Sequence, residues 1–186
     1  MGPVLFVENH DSFSWNVVDA LPVPREAVRV VVGAAAAAPF LEEAAIVVVG
    51  PGPTDPVRAG LVALMNELAR RKKPTLGICL GHQALGLAFG ATLVRARPTH
   101  GEIDAVCFEE SRFFKSFVAE RTVMRYHSLA LTEVVAPLRV IARSSDGLIQ
   151  AIEHETLPMA GLQFHPDSYG TVDGPAYFDA FFRAVL

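Results

Sequence analysis

The sequence has little cysteine, no long apolar run and no excess of basic residues, and each shortage excludes a class of protein. Its two cysteines in 186 residues, Cys79 and Cys107, are too few for a disulfide scaffold and lack the spacing of a zinc site. No stretch of about 18 uninterrupted apolar residues is present, so no membrane-spanning helix is predicted. Because the first residues also lack the pattern of a signal peptide, we expect a cytoplasmic protein that does not associate with membranes.

The charge balance argues against a nucleic-acid partner. Sixteen Lys and Arg residues face 20 Asp and Glu residues, which gives a formal net charge of −4 at pH 7. A nucleic-acid binder normally carries a basic stripe that neutralises phosphates. The one basic cluster, residues 70–73, ends a predicted helix, where cations meet the negative end of the helix dipole. With 51% hydrophobic residues, the chain is expected to fold as one domain over residues 1–186.

Short β-branched runs alternate with helical patterns along the chain. The predicted strands are residues 4–7, 28–32, 46–49, 75–78, 92–94, 104–108, 122–125, 138–142, 148–152 and 159–164. The clearest helix spans residues 57–71, between Pro56 and Pro74, and a last helix spans residues 175–186. Apolar strands that alternate with helices indicate a parallel sheet, and the closely spaced later strands indicate an antiparallel portion. We therefore predict an α/β fold with a mostly parallel central sheet, helices on both faces and a small antiparallel portion.

Cys79 lies at the centre of a Gly-x-Cys-x-Gly motif, residues 77–81, which follows an apolar strand and opens a helix. A sharp strand-to-helix turn strains the backbone of a nucleophile and leaves no room for side chains two residues away, which explains both glycines. The helix N-terminus favours the reactive thiolate. A buried structural cysteine is the commoner role of a free cysteine, but the glycines favour a nucleophile here. Cys107 has no flanking glycine and is predicted to be inert and packed.

A thiolate needs a base to manage its proton, and six histidines are candidates. His165 ends an apolar strand, at the sheet edge where α/β proteins bind ligands, and Asp167 could accept its other N–H. His82 is predicted to pack within the helix after Cys79, and His154, between two glutamates, to be solvated. The loop at residues 50–54 follows another strand. It could present N–H groups to an oxyanion or be an ordinary turn, and these alternatives are equally open.

Taken together, these segments resemble the class I glutamine amidotransferases. The segments are Gly-Ile-Cys-Leu-Gly-His-Gln at 77–83, Pro-Gly-Pro at 51–53 and Gln-Phe-His-Pro-Asp-Ser at 163–168. Three others are similar to the amidotransferase subunits of anthranilate synthase and aminodeoxychorismate synthase: residues 8–16, His-Gly at 100–101 and Arg-Tyr-His-Ser-Leu at 125–129. The matches occur in order over essentially the whole chain.

The resemblance implies a flavodoxin-like fold and a glutaminase that uses no metal or other cofactor. Cys79 would form a thioester with L-glutamine, His165 would act as general acid and base, and Asp167 would complete the triad. The backbone N–H groups of Gly52 and Leu80 would hold the oxyanion. The residues implied to bind glutamine are Gly52, Pro53, Thr54, Gln83, Ser128 and Leu129. The ammonia would pass to a separate chorismate-using synthase subunit.

Three positions depart from the family pattern. Asp167 stands where glutamate is usual and is one methylene shorter, so we expect weaker orientation of His165. Thr54 stands where glycine is common, and a β-branched residue would be strained if the position needs a positive φ. Glu102 replaces a usual lysine near the implied partner face.

Two alternatives to a glutaminase follow from the same residues. The first is a non-catalytic subunit that binds and stabilises its synthase, which Asp167 and Thr54 leave open. The second is another cysteine hydrolase, such as a peptidase, which gives no reason for Gln83. Of the nearby aromatic side chains, Phe13 and Trp15 are expected in the core. Tyr126 and His127 fit a core or a partner-facing position equally well.

Overall fold

One nine-stranded sheet forms the centre of residues 2–186, the part of the chain that the computed structural model describes. The strands are β1 Val4–Glu8, β2 Val28–Val32, β3 Ile46–Val49, β4 Thr75–Ile78, β5 Leu93–Phe108, β6 Ala119–Leu131, β7 Leu138–Ser144, β8 Ile149–His154 and β9 Met159–Leu162. The helices are α1 Ser14–Ala20, α2 Ala34–Ala37, α3 Leu61–Arg70, α4 Leu80–Ala88 and α5 Gly174–Val185, with short 3-10 turns at Arg25–Ala27, Ala38–Phe40 and Lys115–Phe117.

The sheet has a parallel and an antiparallel part. Its strand order is β2-β1-β3-β4-β9-β8-β7-β5-β6. Neighbours from β2 to β9 run parallel, whereas neighbours from β9 to β6 run antiparallel. This arrangement confirms the predicted α/β fold. Because β4 and β9 are adjacent and parallel, their carboxyl ends meet at one edge of the sheet.

Helices cover both faces of the sheet, which explains why its parallel strands are largely apolar. One face carries α1 and α5, whose buried side chains in this core are Val17, Val18, Tyr177, Phe178, Phe181 and Phe182. The other face carries α2, α3 and α4, which bury Ala37, Leu61, Leu64, Met65, Leu68, Ala84 and Leu85. No helix of residues 2–186 is long and apolar enough to cross a membrane.

Two elements differ from their predicted bounds. Helix α3 begins at Leu61 rather than at residue 57, because Gly60 takes a left-handed conformation with φ 71°. Strand β5 joins the two strands predicted at residues 92–94 and 104–108. Its pairing with β6 shifts register on either side of His100. Pro98, which has no N–H, and Gly101, which has a positive φ, lie at these shifts, but the strand continues through them.

Three side chains lie elsewhere than predicted. Trp15 is 54% exposed on α1, with the guanidinium of Arg25 over its ring. His154 is buried rather than solvated, because its Nδ1 accepts backbone N–H groups that follow it and its ring packs on Phe89. Cys107 is exposed on β5 instead of packed in the core. In each case the tertiary neighbours, which the local pattern does not contain, decide the exposure.

Candidate active site

Cys79 occupies a strained turn between β4 and α4. Its φ is 50° and its ψ is −97°, a combination that residues other than glycine rarely adopt. A Cβ added to Gly77 would lie 2.4 Å from the carbonyl carbon of Gly81, and one added to Gly81 would lie 2.2 Å from the carbonyl oxygen of Val49. Both flanking glycines are therefore required sterically, as the motif predicts. The backbone N–H of Cys79 donates to the Leu162 carbonyl of β9 at 2.8 Å, which joins the turn to the neighbouring strand.

His165 lies three residues beyond the end of β9, at the same edge of the sheet. Its backbone N–H donates to the carbonyl of Met124 on β6 at 3.0 Å. The hydroxyl of Thr171 donates to the His165 carbonyl at 2.6 Å and accepts the N–H of Met124 at 2.9 Å. The imidazole packs edge-on against the rings of Phe13 and Tyr126. Backbone contacts and aromatic packing thus fix the ring, which is 2% exposed.

Asp167 is the ionic partner of His165. One carboxylate oxygen lies 3.3 Å from Nδ1, outside good hydrogen-bond geometry, and neither carboxylate oxygen has another hydrogen-bond partner among the described residues. Both side chains are almost completely buried. Because an isolated buried carboxylate is costly, the imidazolium form of His165 is the group that stabilises this charge.

The surroundings of His165 favour its protonated form. Burial alone would lower the pKa of His165, but Asp167 and the thiolate of Cys79 outweigh burial and raise it to about 10. An imidazolium can give a proton to a leaving group, and the neutral ring left behind can then accept one from water. A protonated His165 beside Cys79 is the arrangement that would stabilise a thiolate nucleophile.

Two further polar groups contact the sulfur of Cys79. The carbonyl oxygen of Tyr126 lies 3.9 Å from Sγ and can accept a hydrogen only from the thiol form. The side-chain amide of Gln163 lies 3.6 Å from Sγ and donates to it. Gln163 is fully buried, and its role was missed in the sequence analysis. Its position two residues before His165, within the strand predicted over residues 159–164, was the signal that could have placed both side chains on one side of the chain.

A cleft of about 530 Å³ opens over Cys79. It is lined by Gly52, Pro53, Thr54, Asp55, Cys79, Gln83, Arg95, Ala96, Pro98, His100, Tyr126, His127, Ser128 and Leu129. The structure thus gathers all six residues that the family resemblance implied for glutamine binding along one cleft. The lining also includes Arg95 and His100 of the irregular part of β5, which sequence reasoning did not assign to the site.

The loop after β3 lies directly against the first turn of α4. A Cβ on Gly52 would lie 2.7 Å from a methyl carbon of Leu80 and 2.8 Å from Cβ of Asn9, so only glycine fits. The amide of Asn9 donates to the carbonyls of Val7 and Gly50, which anchors the loop. Leu80 is the first residue of α4, so its N–H has no acceptor within the helix. Thr54 is absent from the positive-φ residues of the described chain, so the strain considered for it does not arise.

An ionic network centred on the buried Arg125 supports the far wall of the cleft. Arg125 pairs with Asp104 and Asp146, and its Nε donates to Nε2 of His127 at 3.1 Å. The other ring nitrogen of His127 lies 3.0 Å from the Leu129 carbonyl, so it carries the hydrogen of a neutral ring. Burial, followed by the charge of Arg125, lowers the pKa of His127 to about 4. His127 is therefore a buried structural support of the cleft wall.

His82 lies within α4, as predicted, and is fully buried. Burial lowers its pKa to about 3, so the ring is neutral at physiological pH. Among the described residues, no group of three or more His, Cys, Asp and Glu side chains is placed to hold a metal ion.

Comparison with known proteins connects this site to a family. The sequence model described as Glutamine amidotransferase class-I matches residues 5–185. The chain is 36% identical to an anthranilate synthase component 2 from Azospirillum brasilense, over 98% of this chain and 96% of that protein. It is 41% identical to an aminodeoxychorismate synthase from Streptomyces griseus, over 91% of this chain but only 24% of that longer protein.

Solved structures share the fold. A glutamine amidotransferase from Thermotoga maritima superimposes with a TM-score of 0.70 at 19% identity, covering 90% of this chain and 77% of that one. At this identity the likeness shows the fold alone. The family model, by contrast, covers nearly every residue from β1 to α5. This chain therefore belongs to the class I glutamine amidotransferase family.

Proposed function

We propose that this chain is the glutaminase subunit of a synthase that aminates chorismate. It would hydrolyse L-glutamine to glutamate and ammonia, with Cys79 as nucleophile and His165 as general acid and base. Asp167 would keep His165 charged and oriented. The observation that carries the proposal is the buried Cys79–His165–Asp167 group, whose Cys79 lines the cleft. The single sheet shared by all described strands supports treating residues 1–186 as one domain.

The first half of the reaction forms a thioester. The Cys79 thiolate attacks the side-chain carbonyl carbon of glutamine, and the carbonyl oxygen becomes an oxyanion. The N–H groups of Leu80 and Gly52 would stabilise that oxyanion, and one such donor is worth roughly 3–4 kcal/mol in comparable sites. His165 gives its proton to the departing nitrogen, the C–N bond breaks, and ammonia leaves with His165 neutral.

The second half returns the enzyme to its starting state. Neutral His165 takes a proton from water, and the hydroxide attacks the thioester carbonyl. The C–S bond then breaks, glutamate is released and Cys79 is again a thiolate beside an imidazolium. Asp167 matters in both halves because it stabilises the charged form of His165 at the beginning and at the end.

Gln83 is suited to hold the amino-acid end of the substrate. Both hydrogens of its side-chain amide are already used, by the carbonyl of Leu129 and by Oε1 of Gln163, each at 3.1 Å. Its own carbonyl oxygen is left for the substrate, and an acceptor matches the α-ammonium group of glutamine. The same end of glutamine would also be bound by main-chain groups of Pro53, Thr54, Ser128 and Leu129.

The ammonia would pass to a separate chorismate-using subunit. Support comes from the names of two similar proteins, an anthranilate synthase component 2 and an aminodeoxychorismate synthase. The aminodeoxychorismate synthase is about four times as long as the matched segment, so its further length could supply the partner's part of the reaction.

The test is chorismate amination by the complex of this chain with its synthase, using either glutamine or ammonia as nitrogen source. We expect the wild-type complex to use both, and Cys79→Ser to lose glutamine while it keeps ammonia. A wild-type complex that uses only ammonia would instead identify a non-catalytic subunit. Hydrolysis of peptide bonds rather than glutamine would identify a different cysteine hydrolase.

A further inference from the structure

Gln163 connects the nucleophile to the substrate-binding wall of the cleft. It is fully buried, directly after β9, and its backbone N–H donates to the Gln150 carbonyl of β8 at 2.8 Å. Its side chain lies between Gln83, which donates to its Oε1 at 3.1 Å, and Cys79, whose Sγ is 3.6 Å from its Nε2. Neither half of the proposed reaction uses this amide.

A single backbone carbonyl fixes which end of Gln163 faces the sulfur. The carbonyl oxygen of Leu129 can only accept, so the atom of Gln83 at 3.1 Å from it is the NH₂ nitrogen. That same nitrogen faces Gln163, so the Gln163 atom that meets it is the carbonyl oxygen. The NH₂ group of Gln163 is then left facing Sγ. The orientation of both amides therefore follows from the hydrogen-bond network rather than from an arbitrary choice.

We propose that the Gln163 side-chain amide is a fixed hydrogen-bond donor that stabilises the Cys79 thiolate and holds it in line for attack. A donor favours the charged form of an acceptor, and a buried donor already oriented by Gln83 needs no reorganisation when the sulfur ionises. The amide complements His165, which must release its proton during the reaction, whereas an amide keeps its hydrogens throughout. The inference rests on the proposed nucleophile and adds a second donor to it.

The arrangement also links substrate binding to the sulfur. Gln83 lines the cleft and its amide orients Gln163, so a ligand that moves Gln83 would move the donor on Sγ. Loss of the donor should therefore slow thioester formation, which lowers kcat, more than it weakens the binding of glutamine.

The test is the rate of alkylation of Cys79 by iodoacetamide between pH 5 and 9, because this rate follows the thiolate and needs neither glutamine nor a partner. Gln163→Met removes the donor at similar size. Gln163→Glu keeps the oxygen that accepts from Gln83 but places an oxygen against Sγ. In both variants we expect alkylation at pH 7 to fall about tenfold, with the midpoint of the rate profile moved to higher pH.

Gln150→Met is the matched control. Gln150 is a fully buried glutamine on the adjacent strand β8, and its side chain reaches Ser144 rather than Cys79. We expect this variant to alkylate within about twofold of wild type. Folded Gln163→Met and Gln163→Glu proteins that react like the control would overturn the inference.

A measurement on unaltered Gln163 covers the case in which both variants fail to fold. In the wild-type chain, the Gln163 side-chain amide protons should shift in the NMR spectrum as Cys79 ionises, and should stay still over the same pH range in Cys79→Ala. Equal behaviour of the two proteins would contradict the donor role. These outcomes are separate from the proposed function, which fails only if the wild-type complex does not use glutamine.

Discussion

The two halves of the candidate site lie at the ends of adjacent parallel strands but are held by different forces. The Cys79 turn after β4 is fixed by sterics: its backbone is strained, and the glycines at 77 and 81 touch neighbouring backbone so closely that no other residue fits. The His165 turn after β9 is held by backbone hydrogen bonds and aromatic packing, and its function depends on charge, since among residues 2–186 the only ionic contact of Asp167 is the imidazole at 3.3 Å. Changes in volume should therefore damage the first half, and changes in charge or pH the second.

The largest effect is expected for Gly81→Ala. The new Cβ would lie 2.2 Å from the carbonyl oxygen of Val49. The position of the Cβ is set by the backbone of residue 81 and the oxygen belongs to the backbone of Val49, so neither can move at low cost. We expect the free energy of unfolding to fall by about 3 kcal/mol or more, with loss of glutamine use, measured by urea denaturation and by the coupled assay.

Gly147→Ala is the control for this substitution. Gly147 also has a positive φ, +81°, but nothing lies within 4 Å of an added Cβ. The cost should be limited to backbone strain of about 1 kcal/mol. Equal losses in the two variants would mean that steric contact does not hold the Cys79 turn.

Asp167→Asn should remove the charge from the second half with little change in shape. Because Asp167 helps to raise the pKa of His165, its loss should leave less imidazolium available to protonate the leaving nitrogen. We expect glutamine-dependent kcat/KM of the complex to fall roughly a hundredfold, with ammonia-dependent amination unchanged.

Asp167→Glu keeps the charge and restores the length that is usual in the family. It should preserve or raise activity if the shorter acid aligns His165 poorly. A fall as large as that of Asp167→Asn would show instead that the site is packed around aspartate.

Acid should destabilise the fold through the wall of the cleft that His127 supports. The folded-state pKa of His127 is lowered to about 4, below its ordinary 6.5, so the unfolded chain binds a proton more readily over that interval. The stability that neutral His127 contributes is therefore fully present above pH 6.5 and is lost as the pH falls toward 4, by roughly 3 kcal/mol for this group. Urea denaturation at several pH values gives the free energy of unfolding as a function of pH. Its slope between pH 6.5 and 4 should be smaller in His127→Gln than in wild type. The exposed His100→Gln should keep the wild-type slope.

The smallest effect is expected for Thr54→Gly, which restores the residue common in the family. Thr54 is not among the positive-φ residues, so glycine relieves no strain there. Glutamine-dependent activity should stay within about twofold of wild type, since a strain-free loop substitution usually has little effect. A large gain in activity would mean that the loop changes conformation when substrate or partner binds.

The sequence predicted the steric half of the site more completely than the electrostatic half. Glycine is the one residue that fits beside the Cys79 turn, so the contacts leave a readable pattern at 77 and 81. The inner strands of the parallel sheet, β1, β3, β4 and β9, were predicted nearly to the residue for a similar reason, because strands buried on both faces must be apolar.

Features that depend on distant neighbours left no local pattern. Gln163 meets Gln83 and Cys79 across long sequence separations, and His154 between two glutamates is buried only because the chain folds over it. The continuous strand β5 was divided in two because its proline and glycine resemble a turn, whereas pairing with β6 carries the strand across them. Here tertiary structure overrides local preference.

The most direct test of the account uses a glutamine analogue that carries a diazoketone in place of the side-chain amide, with the synthase partner present. Such a compound alkylates the group that attacks the substrate. Peptide mapping by mass spectrometry should find the label on Cys79, which is buried beside His165, and not on Cys107, which is free and exposed. Equal labelling of both cysteines, or a label on another residue while glutamine is still consumed, would contradict the assignment of Cys79 as the nucleophile.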